Sequence, residues 1–208
     1  MANLIRVIGV GPGNPEYMTP MARNLVECAD ILIGGERLLE VYRKSGKELY
    51  IIRNNLMDMV EFIRNRRDDC QIAVLASGDP SFYGILEYLK RYFRTTELQV
   101  VPGLSSIQLA CAALCISWHD AAFYSVHGRD MEGLVELVRD NAKVIVLTDP
   151  KKTPAVIAAE LVSQGVSERK VYVCENLSYN NEQIREFSLD SVPRDAGSSG
   201  CVVVIMNE

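Results

Sequence analysis

Residues 75–84, LASGDPSFYG, restrict the fold more than any other stretch of the chain. A short aliphatic run, residues 72–75, leads into Ser77, Gly78, Asp79 and Pro80, and a helix-like apolar periodicity then extends over residues 82–92. This order predicts a strand that delivers a small-residue turn to the start of a helix. Gly78 lets backbone approach a ligand closely, Asp79 offers acceptors, and Pro80 suits the first position of a helix. Taken alone, such a turn is an ordinary N-capped junction. The same order recurs, however. Residues 4–10 form an aliphatic run broken only by Arg6 and pass into GVGPGNP, residues 9–15; residues 98–101 pass into VPGLSS, residues 101–106. Each is followed by a helical pattern, the first opened by Thr19 and Pro20, the second over residues 107–114. Strands alternating with helices predict an α/β architecture, in which ligands settle at the carboxyl ends of strands.

The first of these loops is not a dinucleotide fingerprint. That motif needs GxGxxG, whereas here the glycines fall at positions 9, 11 and 13, position 14 is Asn, and Pro12 removes an amide that would face a pyrophosphate. A nicotinamide oxidoreductase therefore ranks last among the possible activities.

Further strands are expected at residues 31–33, 49–52, 122–126, 143–147, 171–174 and 201–206, with an antiparallel partner at 183–187. Helices are expected at 56–66, 134–140 and 155–164. The pattern breaks over residues 116–121, where Trp118, His119 and Asp120 interrupt it with polar groups. This sets an expected boundary between an N-terminal domain, 1–116, and a C-terminal domain, 117–208, each with enough apolar segments for its own layer.

With 27 acidic against 22 basic residues, a net charge of −5 argues against nucleic acid as the partner. No apolar run approaches the ~18 residues needed to span a bilayer. The first strand starts too near Met1 for a signal peptide, so a cytoplasmic protein without membrane attachment is expected. Six cysteines lie scattered without CxxC pairs or neighbouring histidines, which predicts buried free thiols and no metal site.

Neither nucleophile–base nor metal-ligand spacings occur. His127 and Arg129 follow a strand directly, and an imidazole beside a guanidinium can bind carboxylates. Lys151 and Lys152 read first as a solvated pair, although an anionic substrate can use them. CENLSYNNE, residues 174–182, is another strand-to-loop passage, with Glu175 where a buried strand meets solvent.

Together GVGPGNPEYMT, ASGDPSFYG, VPGLSS and CENLS, in this order and spacing, resemble the tetrapyrrole methylases over essentially the whole chain. The resemblance implies two α/β domains with S-adenosylmethionine held in the cleft between them, and a homodimer. It also implies methyl transfer to a corrinoid or porphyrinoid ring. Motif by motif, it assigns Pro12, Ser77, Gly78, Asp79, Phe82, Ser105, Ser106, Leu147 and Leu177 to the cofactor site. Within the family, SVHGR paired with CENLS resembles enzymes that methylate carbon 5 of precorrin-7 or its cobalt form in cobalamin synthesis. Some of those relatives carry a fused activity that methylates carbon 15 and decarboxylates an acetate arm. Here that activity is expected in a separate, associating protein. The carboxylates of such a substrate make His127, Arg129, Arg53 and Lys151 its candidate anchors. In sirohaem-forming relatives an Asp at the end of the second strand is assigned proton abstraction; that position here matches Gly35, with Glu36 next, so no catalytic acid or base is carried over. The competing readings are methylation at another tetrapyrrole position, an RNA or protein methylase of the same fold, and a non-catalytic tetrapyrrole or S-adenosylmethionine-binding subunit.

Overall fold

A computed structural model of the chain describes residues 3–126, 130–197 and 200–207. It divides into two compact units, Met1–Ser105 and Ser106–Glu208.

In the first unit the elements run β1 (Ile5–Gly9), α1 (Pro20–Glu27), β2 (Ile31–Gly35), α2 (Glu36–Leu39), β3 (Glu48–Ile52), α3 (Leu56–Arg66), β4 (Ile72–Ala76), α4 (Leu86–Leu89) and β5 (Leu98–Val101). The five strands form one parallel sheet in the order β3-β2-β4-β1-β5. Both faces are covered, which is why β2 and β4 read as near-continuous aliphatic runs rather than alternating ones. Ala22 and Val26 of α1 and Leu39 of α2 pack with Ile8, Leu32, Ala73 and Leu75 on one face. Met59, Val60 and Ile63 of α3 and Leu89 of α4 pack with Ile5, Val7, Ile31, Ile33 and Val74 on the other. The chain leaves β1 through α1 and passes β4 to reach β2, whereas it leaves β4 through α4 and passes β1 to reach β5. The carboxyl ends of β1 and β4 are therefore a topological switch point, where the two connections diverge and leave room for a ligand.

Thr19 caps α1 as expected, its hydroxyl accepting the Ala22 N–H at 3.1 Å with Pro20 at the first helical position. The expected long helix over residues 82–92 is absent; only Leu86–Leu89 is α-helical. The cause is local. Tyr83 adopts φ 53°, and a Cβ on Gly84 would lie 2.5 Å from the Pro80 carbonyl oxygen, so the segment after Pro80 is compressed into turns before the helix starts.

The second unit contains α5 (Ser106–Ala113), β6 (Ala122–Ser125), α6 (Leu134–Asp140), β7 (Lys143–Leu147), α7 (Pro154–Ser163), β8 (Arg169–Glu175), β9 (Gln183–Ser188) and β10 (Val202–Asn207). Its sheet is mixed, in the order β6-β7-β10-β8-β9, with β6 and β7 parallel and the other neighbours antiparallel. Strands β6, β7 and β8 consequently point the same way, and their carboxyl ends share one edge. Leu134 and Val138 of α6 and Ile157 and Leu161 of α7 cover one face, against Val144, Val146, Val171, Val173, Val203 and Ile205. On the other face α5 meets β10, burying Ile107, Ala110 and Cys111. That packing groups α5 with the second unit, so the division falls between Ser105 and Ser106 rather than at the expected 116/117.

All six cysteines are free, but they are not uniformly buried as expected. Cys111, Cys174 and Cys201 are buried, Cys70 is half-buried, and Cys28 and Cys115 are exposed.

Candidate functional site

Three loops of the first unit meet at the switch point because Gly9 and Gly103 leave no room for side chains there and Gly78 supplies a left-handed turn. A Cβ on Gly9 would lie 2.5 Å from the Gly103 nitrogen and 2.6 Å from the Gly78 carbonyl oxygen; one on Gly103 would lie 2.7 Å from the Gly9 carbonyl carbon. Gly78, at φ 68°, sits in the left-handed region that glycine adopts without strain. Its N–H donates to the Gly11 carbonyl at 2.8 Å, forming an isolated bridge between the two loops. Asp79 closes the third side: Oδ2 accepts the Gly103 N–H at 3.2 Å, while Oδ1 accepts the Ser81 N–H at 2.8 Å and the Ser81 hydroxyl. The carboxylate thus ties the loop after β4 to the loop after β5.

Around this joint the structure gathers most of the expected cofactor residues. Pro12 is buried beside Gly11; Ser77, at the end of β4, is exposed; Asp79 and Phe82 are half-buried. Phe82 packs edge-on against Tyr83 at 4.9 Å between ring centroids. The Ser105 Cα lies 3.5 Å from the position of a Gly78 Cβ, which puts this half-buried serine beside the same joint. Ser106 follows as the first residue of α5.

The two remaining cofactor candidates belong to the second unit. Leu147 is the last residue of β7 and half-buried; Leu177, two residues beyond β8, is buried. Both lie at the edge shared by the carboxyl ends of β7 and β8. Thr148, which sequence reasoning missed, stitches that edge together: its hydroxyl accepts the Cys201 N–H at 2.8 Å and donates to the Cys201 carbonyl at 2.9 Å. Glu175 does not meet solvent as expected: it is 9% exposed and accepts from Arg185 Nη2 at 2.6 Å. Neither link has a signal in the sequence, because each joins residues brought together only by the sheet.

Of the four candidate substrate anchors, His127 and Arg129 lie outside the described residues. Arg53, just beyond β3 at the far side of the first sheet, is exposed, and its guanidinium is 3.5 Å from Glu36 Oε2. Two strands separate β3 from β1, so Arg53 stands apart from the glycine joint. Lys151 is exposed in the loop after β7, its backbone N–H donating to Asp149 Oδ1 at 2.8 Å. Lys152, by contrast, reaches Asp130 at 3.3 Å. Gly35 ends β2 and Glu36 opens α2, with the Glu36 carboxylate between the Arg43 and Arg53 guanidinium groups. Among the described residues no group of three or more His, Cys, Asp or Glu is arranged to hold a metal ion. Nor is any helix of the described residues long and apolar enough to cross a membrane.

The joint is open to close approach by a ligand's polar groups. It brings backbone together closely at Gly9, Gly78 and Gly103, with Ser105 beside Gly78 and the Asp79 carboxylate holding the loops in place.

Comparison with known proteins agrees with this architecture. The sequence model of the tetrapyrrole (corrin/porphyrin) methylases matches residues 5–193. A protein of Salmonella typhimurium named cobalt-precorrin-7 C(5)-methyltransferase is 34% identical, over 97% of this chain and 98% of its own length. A Methanocaldococcus jannaschii protein named probable cobalt-precorrin-7 C(5)-methyltransferase is 35% identical over 91% of each chain. The crystal structure of a cobalamin biosynthesis precorrin-6Y methylase from Archaeoglobus fulgidus superposes with a TM-score of 0.75 at 25% identity, covering 99% of this chain and 98% of that one. The chain therefore belongs to the tetrapyrrole methylases.

Proposed function

We propose that this protein transfers a methyl group from S-adenosylmethionine to carbon 5 of cobalt-precorrin-7, or of its metal-free counterpart, in cobalamin biosynthesis. The observation that carries the reading is the 34% identity to the Salmonella typhimurium enzyme across nearly the full length of both chains. The gathering of the motif loops at one switch point supports it.

Bound S-adenosylmethionine supplies a sulfonium-activated methyl group, so attack by an electron-rich ring carbon needs no protein nucleophile. The protein's contribution is then orientation and exclusion of water, and orientation alone can supply ~7 to 11 kcal/mol of the barrier in favourable cases. In this reading Pro12, Ser77, Gly78, Phe82, Ser105, Ser106, Leu147 and Leu177 contact the cofactor, while Asp79 holds two of the loops in register. His127, Arg129, Arg53 and Lys151 anchor substrate carboxylates, because a net charge of −5 provides no general attraction for a polyanion. The proposal extends to a cytoplasmic homodimer associating with a separate carbon-15 methylating and decarboxylating protein.

The test is incubation of the purified protein with S-adenosylmethionine and each form of precorrin-7. A product heavier by one methylene, with the new methyl located on carbon 5 by NMR, is the expected result. Cofactor binding without turnover on either form would overturn the enzyme assignment in favour of a binding subunit. Turnover on a different tetrapyrrole would move the methylated position.

A further inference from the structure

Leu177 sits in an unusual piece of backbone. The residues on either side, Asn176 and Ser178, both adopt left-handed conformations, at φ 50° and 76°, although neither is glycine. Asn adopts this region readily, whereas a serine held there persists only where its surroundings over-determine it, and such residues cluster at ligand clamps. Here the outer side of the turn is held by Glu182, whose Oε2 accepts the Ser178 N–H at 2.8 Å, and by the Tyr179 N–H donating to the Asn176 carbonyl at 2.9 Å. The inner side is held by Glu175 and Arg185.

The placement of that ion pair is specific. Glu175 is the last residue of β8 and faces Gln183 in the final rung of the β8–β9 ladder, while Arg185 faces Val173 two rungs back, on the same side of the sheet. The 2.6 Å contact therefore runs diagonally across the ladder and locks its last rung immediately before the turn. Arg185 is itself held over the Phe187 ring, 5.7 Å from its centroid. Glu175 and Arg185 thus join β8 to β9 at the end of the ladder that leads into Leu177, the buried residue two positions beyond β8.

Resting on the methyltransferase reading above, we propose that the Glu175–Arg185 ion pair is a positioning element of the cofactor site. It touches no cofactor atom; it sets the turn so that Leu177 and its flanking backbone present a preformed wall to the cofactor. A purely structural ion pair would affect unfolding and leave cofactor affinity alone.

The experiment compares wild type, Glu175→Gln, Arg185→Lys and Lys170→Ala. Lys170 contacts Glu186 at 3.2 Å towards the other end of the same ladder and serves as the control for ladder stability. Affinity for S-adenosylhomocysteine is measured by calorimetry, with the unfolding midpoint and the KM for S-adenosylmethionine alongside. Glu175→Gln is expected to weaken binding on the order of tenfold, since small misplacements of a binding group have effects of that size or larger. KM should rise by a similar factor with kcat little changed, Arg185→Lys should fall between wild type and Glu175→Gln, and Lys170→Ala should match wild type. Should Glu175→Gln not fold, Arg185→Lys carries the test. Unchanged affinity in the folded variant, or an equal loss in Lys170→Ala, overturns the positioning role. Absence of binding in wild type would instead overturn the cofactor reading on which it rests.

Discussion

Asp79 Oδ2 accepts the backbone N–H of Gly103 at 3.2 Å, so one carboxylate bonds two loops that are 24 residues apart in the chain. The oxygen is committed to protein structure before any ligand arrives. Asp79→Ala is expected to lower stability by about 1.5–3 kcal/mol, the usual range for losing hydrogen bonds to a charged group. It should also weaken S-adenosylhomocysteine binding through loop displacement. Asp79→Asn keeps one acceptor oxygen and should retain more of both. Calorimetric titration and denaturant unfolding of the two variants distinguish a loop clamp from a direct ligand: a direct ligand would lose affinity with no loss of stability.

The glycine joint makes a sharper contrast. Gly9→Ala and Gly103→Ala each force a methyl group into backbone atoms that cannot move independently, and should cost roughly 1–3 kcal/mol or more, as overpacking does. Gly35→Ala, where nothing lies within 4 Å of the added Cβ, should stay within about 0.5 kcal/mol of wild type. Urea unfolding of the three variants checks the order; equal effects at positions 9 and 35 would show that the three loops do not meet as closely as described.

Thiol chemistry reads burial directly. Burial pushes the Cys174 thiol up to about 12, and it raises those of Cys111 and Cys201 as well. The thiolate is the reactive form, so these three should resist a thiol reagent at pH 8 in the folded protein. Cys28 and Cys115 are exposed and should react fast, and the half-buried Cys70 more slowly. Mass spectrometry after brief labelling should find the label on Cys28 and Cys115 first, with all six positions labelled only after denaturation.

Acid sensitivity follows from two carboxylates held below their ordinary range. In Glu97 the largest cause is the Arg94 backbone N–H, followed by the Arg67 guanidinium at 2.6 Å; in Asp120 it is the hydrogen bond from Lys143 Nζ at 2.8 Å. Their folded values lie below their unfolded ones, so the stability they contribute is present above the unfolded carboxylate values of ~4 and is lost as pH falls through the lower folded values. Glu97→Gln and Asp120→Asn should therefore flatten the unfolding midpoint against pH below ~4 and change its slope little near neutrality. Wild-type and variant curves with the same acid slope would mean that neither pair is linked to folding.

Periodicity made the elements legible where local preference and burial agree. The helix at Leu56–Arg66 and the strands at Leu98–Val101 and Lys143–Leu147 match the expected spans residue for residue, and β9 is antiparallel as expected, its partner being β8. The failures have physical causes. Apolar spacing over residues 82–92 satisfied a helical pattern, but the backbone of Tyr83 and the crowding of Gly84 against Pro80 prevailed over it. The polar break at residues 116–121 was real, yet α5 packs on β10, and packing rather than composition decides to which unit a helix belongs.

By itself the sequence determined the alternation of strand, small-residue turn and helix, and with it the loops able to approach a ligand. It did so because backbone permissiveness and hydrophobic period are local properties of the chain. Only the tertiary structure decided that Gly9, Gly78 and Gly103 share one point, that Thr148 bonds Cys201, and that Glu175 is buried on Arg185 rather than open to solvent. Those relations depend on strand order and register, which bring together residues whose separation along the chain carries no signal of contact.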